Sequence, residues 1–466
     1  MLNIYDTDAC LPLHRRKLLE IGTLGLGGLS LPGILAAKSD ATNPLKGKSV
    51  IFLFQQGGPS QLETFDPKPD APSAIRTIGG TIPTSIPGIH FGATMFQLAK
   101  LAHKLAIVRS FSTGNAGHNI QPVVSPASKD ANIGCHFARI AGASHPLTGT
   151  PTNAILYPAA VSKEVPGPSA RGDLKSTGPF SKSYQPFVPG SGGKLQQDMQ
   201  LQLSRERFLH DRSALLSKLD QANRATESNG EFQNLDDLNQ QAVQLLLGGG
   251  VSNALDLSQE DPRTVALYDT AKYHGKRNWH KTNRGRAGLY NAQASTIGKL
   301  LLTARRLCES GCGFVTIHAS YAGVWDMHAD GNNLNMVDGM RAVGQSFDHA
   351  VAAFIQDTQS RGLQDDILLV CCGEMGRTPR INKGGGRDHW AKLAPLLLYG
   401  GGIGEGKVIG QSDKQGGEPA DTPCGPGHLV STILRTLLDP GKLRLDPSTP
   451  AEVSELLNHP TIPGLG

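Results

Sequence analysis

Two uninterrupted apolar runs, Ser49–Phe54 and Ile367–Cys372, constrain this 466-residue chain more than any other feature. A strand with one face in water alternates apolar and polar side chains. A run without alternation is buried on both faces, which requires a mostly parallel sheet covered on both sides. Each run opens into a glycine-rich turn, Gln55-Gln-Gly-Gly-Pro-Ser60 after the first and Gly373-Glu-Met-Gly-Arg-Thr-Pro379 after the second. Ligands of open α/β sheets bind outside the carboxyl ends of the strands. Glycines there let the backbone turn tightly and approach a ligand.

Shorter strands are expected at Leu105–Val108, Ala154–Tyr157, Gly313–His318 and Ala394–Tyr399. Helical spacing recurs over Gln196–Ala225, Leu235–Leu247, Gln293–Cys308 and from Val337 to Phe354. Alternating strands and helices predict a doubly wound, mostly parallel α/β sheet flanked by helices. Residues 46–460 form this domain, with 194–295 as a helical insertion. The Pro-, Gly- and Ser-rich stretch Gly167–Gly193 reads as an extended surface loop, and no internal repeat is present.

His14-Arg-Arg-Lys-Leu-Leu-Glu20 precedes a short, glycine-interrupted apolar run ending in Ala36-Ala37. That order of parts predicts a twin-arginine-type signal peptide over 1–37, hence a periplasmic or extracellular protein that uses the twin-arginine export machinery. The run is too short and too glycine-rich for a stable membrane span. The net charge of +5 comes without a basic run or interleaved aromatics, which argues against nucleic-acid binding. Seven cysteines in a chain of this length make no disulfide scaffold, and the absence of a Cys-x-x-Cys pair argues against a zinc ribbon.

Three loops carry chemistry-bearing side chains. In Trp325-Asp-Met-His-Ala-Asp330, Asp326 and His328 are two apart and project to one side of an extended backbone, half of a zinc-type site. The alternative is a loop aspartate bonded to amides beside a solvated histidine. Glu374 and His389 follow another core strand and complete a set of four candidate metal ligands, Asp326, His328, Glu374 and His389. Arg377 can bind an oxyanion through its planar fork or pair with an acid such as Glu374, and both readings stand open. Asp388 can orient a ligand from behind. Thr113 and His118, in Thr113-Gly-Asn-Ala-Gly-His118, are candidates for nucleophile or oxyanion partner. Gly400–Gly406 lacks the Lys-Ser/Thr of a phosphate loop and reads as a connection.

The motifs Gln56-Gly-Gly-Pro-Ser-Gln-Leu-Glu-Thr-Phe-Asp-Pro-Lys-Pro69, Trp325–Asp330, Gly373–Pro379 and Gly386-Arg-Asp-His-Trp390 resemble, in this order, the family of domain of unknown function 1501. That family is similar to the alkaline phosphatase superfamily, which includes sulfatases. The resemblance implies an alkaline-phosphatase-like fold with metal held above the sheet by Asp326, His328 and His389, and with Glu374 at a second position. Gln56 stands where the superfamily has a metal-binding Asp. Cys135-His-Phe-Ala-Arg139 resembles the formylglycine segment of sulfatases, but Phe137 does not fit it.

The expected function is an exported, metal-dependent hydrolase of phosphate or sulfate esters. Its substrate is an anionic small molecule or glycan ester, its ion zinc or manganese, and Glu374, Arg377, His118 and Thr113 its catalytic candidates. The alternative is a non-catalytic exported binding protein on a degenerate version of the same fold.

Overall fold

The computed structural model describes residues 43–190, 249–273, 286–319 and 321–465. The expected signal peptide and the helical stretches Gln196–Ala225 and Leu235–Leu247 lie outside the described residues.

The strands are β1 (Ser49–Phe54), β2 (Thr81–Pro83), β3 (His90–Gly92), β4 (Ala106–Val108), β5 (Asn153–Leu156), β6 (Phe314–Ile317), β7 (Ile367–Cys372), β8 (Gly376–Arg377), β9 (His389–Trp390), β10 (Leu396–Gly400) and β11 (Lys407–Ile409). Seven of them form the central sheet in the order β11-β4-β10-β7-β1-β6-β5. Every neighbouring pair in it is parallel except the two made by β10, which runs against both β4 and β7. Two short hairpins, β2–β3 and β8–β9, lie outside the sheet.

The two long apolar runs are central neighbours, with Ser49 to Phe54 opposite Ile367 to Cys372. Successive side chains of a strand point to opposite faces. Accordingly Ile51 and Leu53 join one core with Leu300, Phe347 and Phe354, while Val50, Phe52 and Phe54 join a second with Ile133, Leu429 and Ile433. The helices covering the first face are α1 (Ala287–Glu309) and α2 (Gln345–Ser360), and α3 (Pro426–Leu437) covers the second. The fold is therefore a doubly wound, mostly parallel α/β sheet flanked by helices.

The expected helix from Val337 to Phe354 forms as Met336–Gly339 and α2 joined by one π turn, Met340–Gly344. Within 249–295, the described chain has short helices at Gly250–Leu255 and Pro262–Leu267 before α1 begins at Ala287, so the stretch ends inside a helix of the main domain. A buried ion cluster ties this segment down. Glu260 accepts from Arg305, Arg306 and Arg361, and Asp357 accepts from Arg305 and Arg361. The six described cysteines are free and buried. Among the described residues, no helix is long and apolar enough to cross a membrane.

Candidate metal centre

Loops from β1, β4, β6 and β7, together with the hairpin leading into β10, meet at the carboxyl edge of the parallel strands. There His118, Asp326, His328 and His389 each present one donor atom, all within 4.8 Å of one another. Asp326 is the hub. One carboxylate oxygen lies 3.0 Å from His118 Nε2, and the other lies 2.7 Å from His328 Nε2 and 3.3 Å from His389 Nε2. The Nε2 atoms of His328 and His389 are 2.9 Å apart.

The outer nitrogens fix the tautomers. His118 Nδ1 donates to Glu374 at 2.8 Å, and His328 Nδ1 donates to Asp388 at 3.1 Å. In a neutral imidazole the other nitrogen then carries the lone pair. Both lone pairs face carboxylate oxygens, and that arrangement is repulsive unless positive charge lies between them. Protons or a metal cation satisfy it. Ligands about 2.0–2.1 Å from a zinc ion in a tetrahedron lie roughly 3.3 Å apart, so the 2.7–3.3 Å contacts would expand slightly and the wider separations in the cluster, all within 4.8 Å, would close. Three imidazoles and a carboxylate, two of the imidazoles backed by carboxylates, form a donor set suited to a divalent ion.

The electrostatics agree. Burial alone pushes the Asp326 carboxyl up, but hydrogen bonds from His118, His328 and His389 and the charge of Arg377 outweigh it and hold it far below the usual carboxylate range. Burial lowers the His118 imidazole, and its bonds to Asp326 and Glu374 overcome this and raise it. The bond to Asp326 raises His328, against burial.

Local sequence explains the convergence. Gly57 has φ +120°, and a Cβ there would sit 2.7 Å from the Trp325 amide nitrogen and 2.8 Å from that of Asp326. The first strand's turn therefore packs directly against the loop that carries Asp326 and His328. A Cβ on Gly386 would collide with the His328 carbonyl. Arg387 is fully buried and pairs with Glu63 at 2.9 Å, tying the loop that carries His389 to the segment after β1.

Glu374 is placed differently from its expected role as a ligand. It is fully buried outside the four-residue cluster, where its two oxygens accept from the Gly57 amide at 2.9 and 3.0 Å as well as from His118. A carboxylate spent on those donors orients a histidine. His118, not Glu374, belongs to the four-residue cluster.

Arg377 is also fully buried. Its fork donates to the carbonyls of Gly57, Gly58, Trp325 and Arg387 and to Asp326 at 2.7 Å. It holds Asp326 from beneath rather than facing a ligand, and its acidic partner is Asp326, not Glu374. In β8–β9, Arg377 is in register with His389. The Thr113 hydroxyl donates to the Asn115 carbonyl two residues on, a local turn contact.

Gln56 is fully buried and serves as a structural amide. It donates to Asn119 O and Arg171 O and accepts from Arg171 N and from His318 Nε2. Burial holds His318 neutral, with its pKa lowered to about 3.

An α/β sheet with a histidine-rich centre at its carboxyl edge defines a class, and the sequence defines the family. The chain belongs to the family described as protein of unknown function (DUF1501), whose model matches residues 47–445. No curated protein matches the chain. Among solved structures it is similar to the PsFucS1 sulfatase from Pseudoalteromonas sp., at 12% identity and TM-score 0.35 over 91% of this chain and 72% of that one. It is similar also to the alkaline phosphatase from the Antarctic bacterium TAB5, at 14% identity and TM-score 0.25 over 77% of this chain and 92% of that one. A TAB5 alkaline phosphatase mutant with Mg bound matches at 13% identity and TM-score 0.28, covering 84% of this chain and 98% of that one.

Proposed function

We propose that this protein is an exported, metal-dependent hydrolase of phosphate or sulfate esters. The observation that carries the reading is the convergence of three imidazoles and Asp326 within 4.8 Å at the carboxyl edge of the sheet. His118, Asp326, His328 and His389 hold a divalent ion, with zinc or manganese suited to this nitrogen and oxygen set. Such an ion, when bound, supplies Lewis acidity that polarises an ester oxygen and lowers the pKa of water to about 7.

The protein's own groups prepare that chemistry. Glu374 and Asp388 fix which nitrogen of His118 and His328 faces inward. Arg377, beneath the sheet edge, keeps Asp326 ionised and aimed. His389 and His328 keep 26% and 19% of their side-chain surface against 7% for His118, so the centre is most open on the His389 side, where an ester can approach. Thr113 spends its hydroxyl on the Asn115 carbonyl, and in this reading water is the nucleophile.

The residues before Lys38 support export through the twin-arginine machinery. Lysine at both Arg15 and Arg16 should leave the protein in the cytoplasm, which cell fractionation reads. Turnover of aryl phosphates and aryl sulfates by zinc- or manganese-loaded protein, abolished by chelator and by His389→Ala, tests the hydrolase. Loaded protein without turnover on either class would contradict it.

A second reading, a non-catalytic exported protein that binds an anionic glycan, is favoured by one observation. Gln56, where the alkaline phosphatase superfamily has a metal-binding Asp, is committed to backbone groups and to His318. It predicts glycan binding unaffected by chelator.

A further inference from the structure

The geometry points to Arg171 as the cation that binds the free oxygens of an oxyanion held at the metal centre. The inference rests on the hydrolase reading and adds to it the group that recognises the anion, a task Arg377 cannot perform from its buried position.

The Arg171 backbone is clamped at both ends by a single buried amide. Its N–H donates to Gln56 Oε1 at 3.0 Å, and its carbonyl accepts from Gln56 Nε2 at 3.4 Å. The same Nε2 donates to the carbonyl of Asn119 at 2.6 Å, the residue following the ligand His118. The two carbonyls are therefore no more than about 6 Å apart, the limit set by those two bonds sharing one nitrogen. His318, neutral and buried, donates to Gln56 Oε1 from the other side and fixes which way the amide faces.

Neighbouring contacts hold the same loop from both sides. The Ala322 amide donates to Ser169 O at 2.8 Å, joining the loop to the segment that leads into Asp326. Gly172 has φ +127°, and a Cβ there would meet Ile120 Cγ1 at 2.9 Å. Arg171 thus sits where a long surface loop is pinned between the segments carrying two of the metal ligands.

Its side chain is exposed and makes no ion pair among the described residues. A buried glutamine spent on the backbone of an exposed arginine is costly unless the position of that arginine matters, because a surface loop can satisfy its backbone with water. A guanidinium fork matches the paired oxygens of phosphate or sulfate, and the Arg171 backbone shares the Gln56 amide with Asn119, the residue after His118. Arg380 is a cation from a different loop, exposed on the His328 side, and serves as the control for bulk charge.

The test is titration of zinc-loaded full-length protein with inorganic phosphate and with sulfate by calorimetry at 0.15 M salt, with zinc content measured on each sample. Arg171→Ala should weaken binding at least tenfold at unchanged zinc content. Arg171→Lys should fall between it and the wild type, and Arg380→Ala should change affinity less than threefold. Equal affinity in wild type and Arg171→Ala would overturn the assignment, as would wild type that holds zinc and binds neither anion. Wild type that takes up no zinc would overturn the hydrolase reading itself, and this one with it.

Discussion

His118 Nδ1 lies 2.8 Å from a Glu374 oxygen, and both of that carboxylate's oxygens accept from the Gly57 amide. Glu374 thereby links the turn after the first core strand to a histidine 256 positions earlier in the chain. A carboxylate behind a metal-binding imidazole fixes its tautomer and raises its basicity. Glu374→Gln should therefore lower zinc affinity by about 10- to 100-fold while the protein stays folded. Competition with a chromophoric chelator, alongside circular dichroism, measures both. Asp388→Asn should cost less, because Asp388 is 60% exposed and its bond to His328 competes with water.

Asp326 faces a guanidinium with no access to solvent. Asp326→Asn should therefore do two separable things. It should abolish metal binding, and in chelator it should still destabilise the fold by about 3–5 kcal/mol, because a buried cation loses its counter-charge. Urea denaturation of metal-free protein reads the second effect. An unchanged midpoint would mean that the surrounding carbonyls alone satisfy Arg377.

Stability and metal binding should depend on pH in opposite senses. The pKa values of His118 and His328 are raised in the folded protein, above the ordinary value of about 6.5. Groups of this kind stabilise the metal-free fold fully below the ordinary value, and the benefit is lost as pH rises through the raised values. Zinc requires the same imidazoles neutral. The rise in melting temperature on adding zinc should therefore be small at pH 6 and grow toward pH 8. Differential scanning calorimetry with and without zinc shows it, and a shift that shrinks with pH would contradict the ligand assignment.

Gly57 should not tolerate a side chain. Its φ of +120° and the Trp325 and Asp326 amides at 2.7 and 2.8 Å from a built Cβ leave no room for one. Gly57→Ala should destabilise the protein by more than about 1–3 kcal/mol, since steric overlap with backbone adds to the conformational strain. Gly88→Ala, at another positive-φ glycine with nothing within 4 Å, separates strain from overlap. Comparing the two urea midpoints checks the claim.

The parts legible in the sequence were those encoded locally. Ser49–Phe54 and Ile367–Cys372 form strands with those same ends, because unbroken apolar runs of five and six residues suit a strand buried on both faces. Asp326 and His328 stand out by their two-residue spacing after a core strand, and His389 by its glycine-rich loop after another. His118 did not announce itself as a partner of Asp326, since 208 residues separate them and only the sheet order brings β4 and β6 loops to one edge. The choice between Glu374 and Asp326 as partner of Arg377 was equally hidden. It is decided by the β8–β9 hairpin and the close approach of Gly57, which no periodicity encodes. Strands of two or three residues, such as β8, β9 and β11, are too short to carry a pattern.

Elemental analysis of protein purified after growth in zinc- and manganese-supplemented medium tests the metal centre most directly. One divalent ion per chain is expected in the wild type, with none in His118→Ala or Asp326→Asn. Folded wild-type protein that remains metal-free, or a His118→Ala variant that keeps its ion in full, would contradict the assignment of these residues as a metal site.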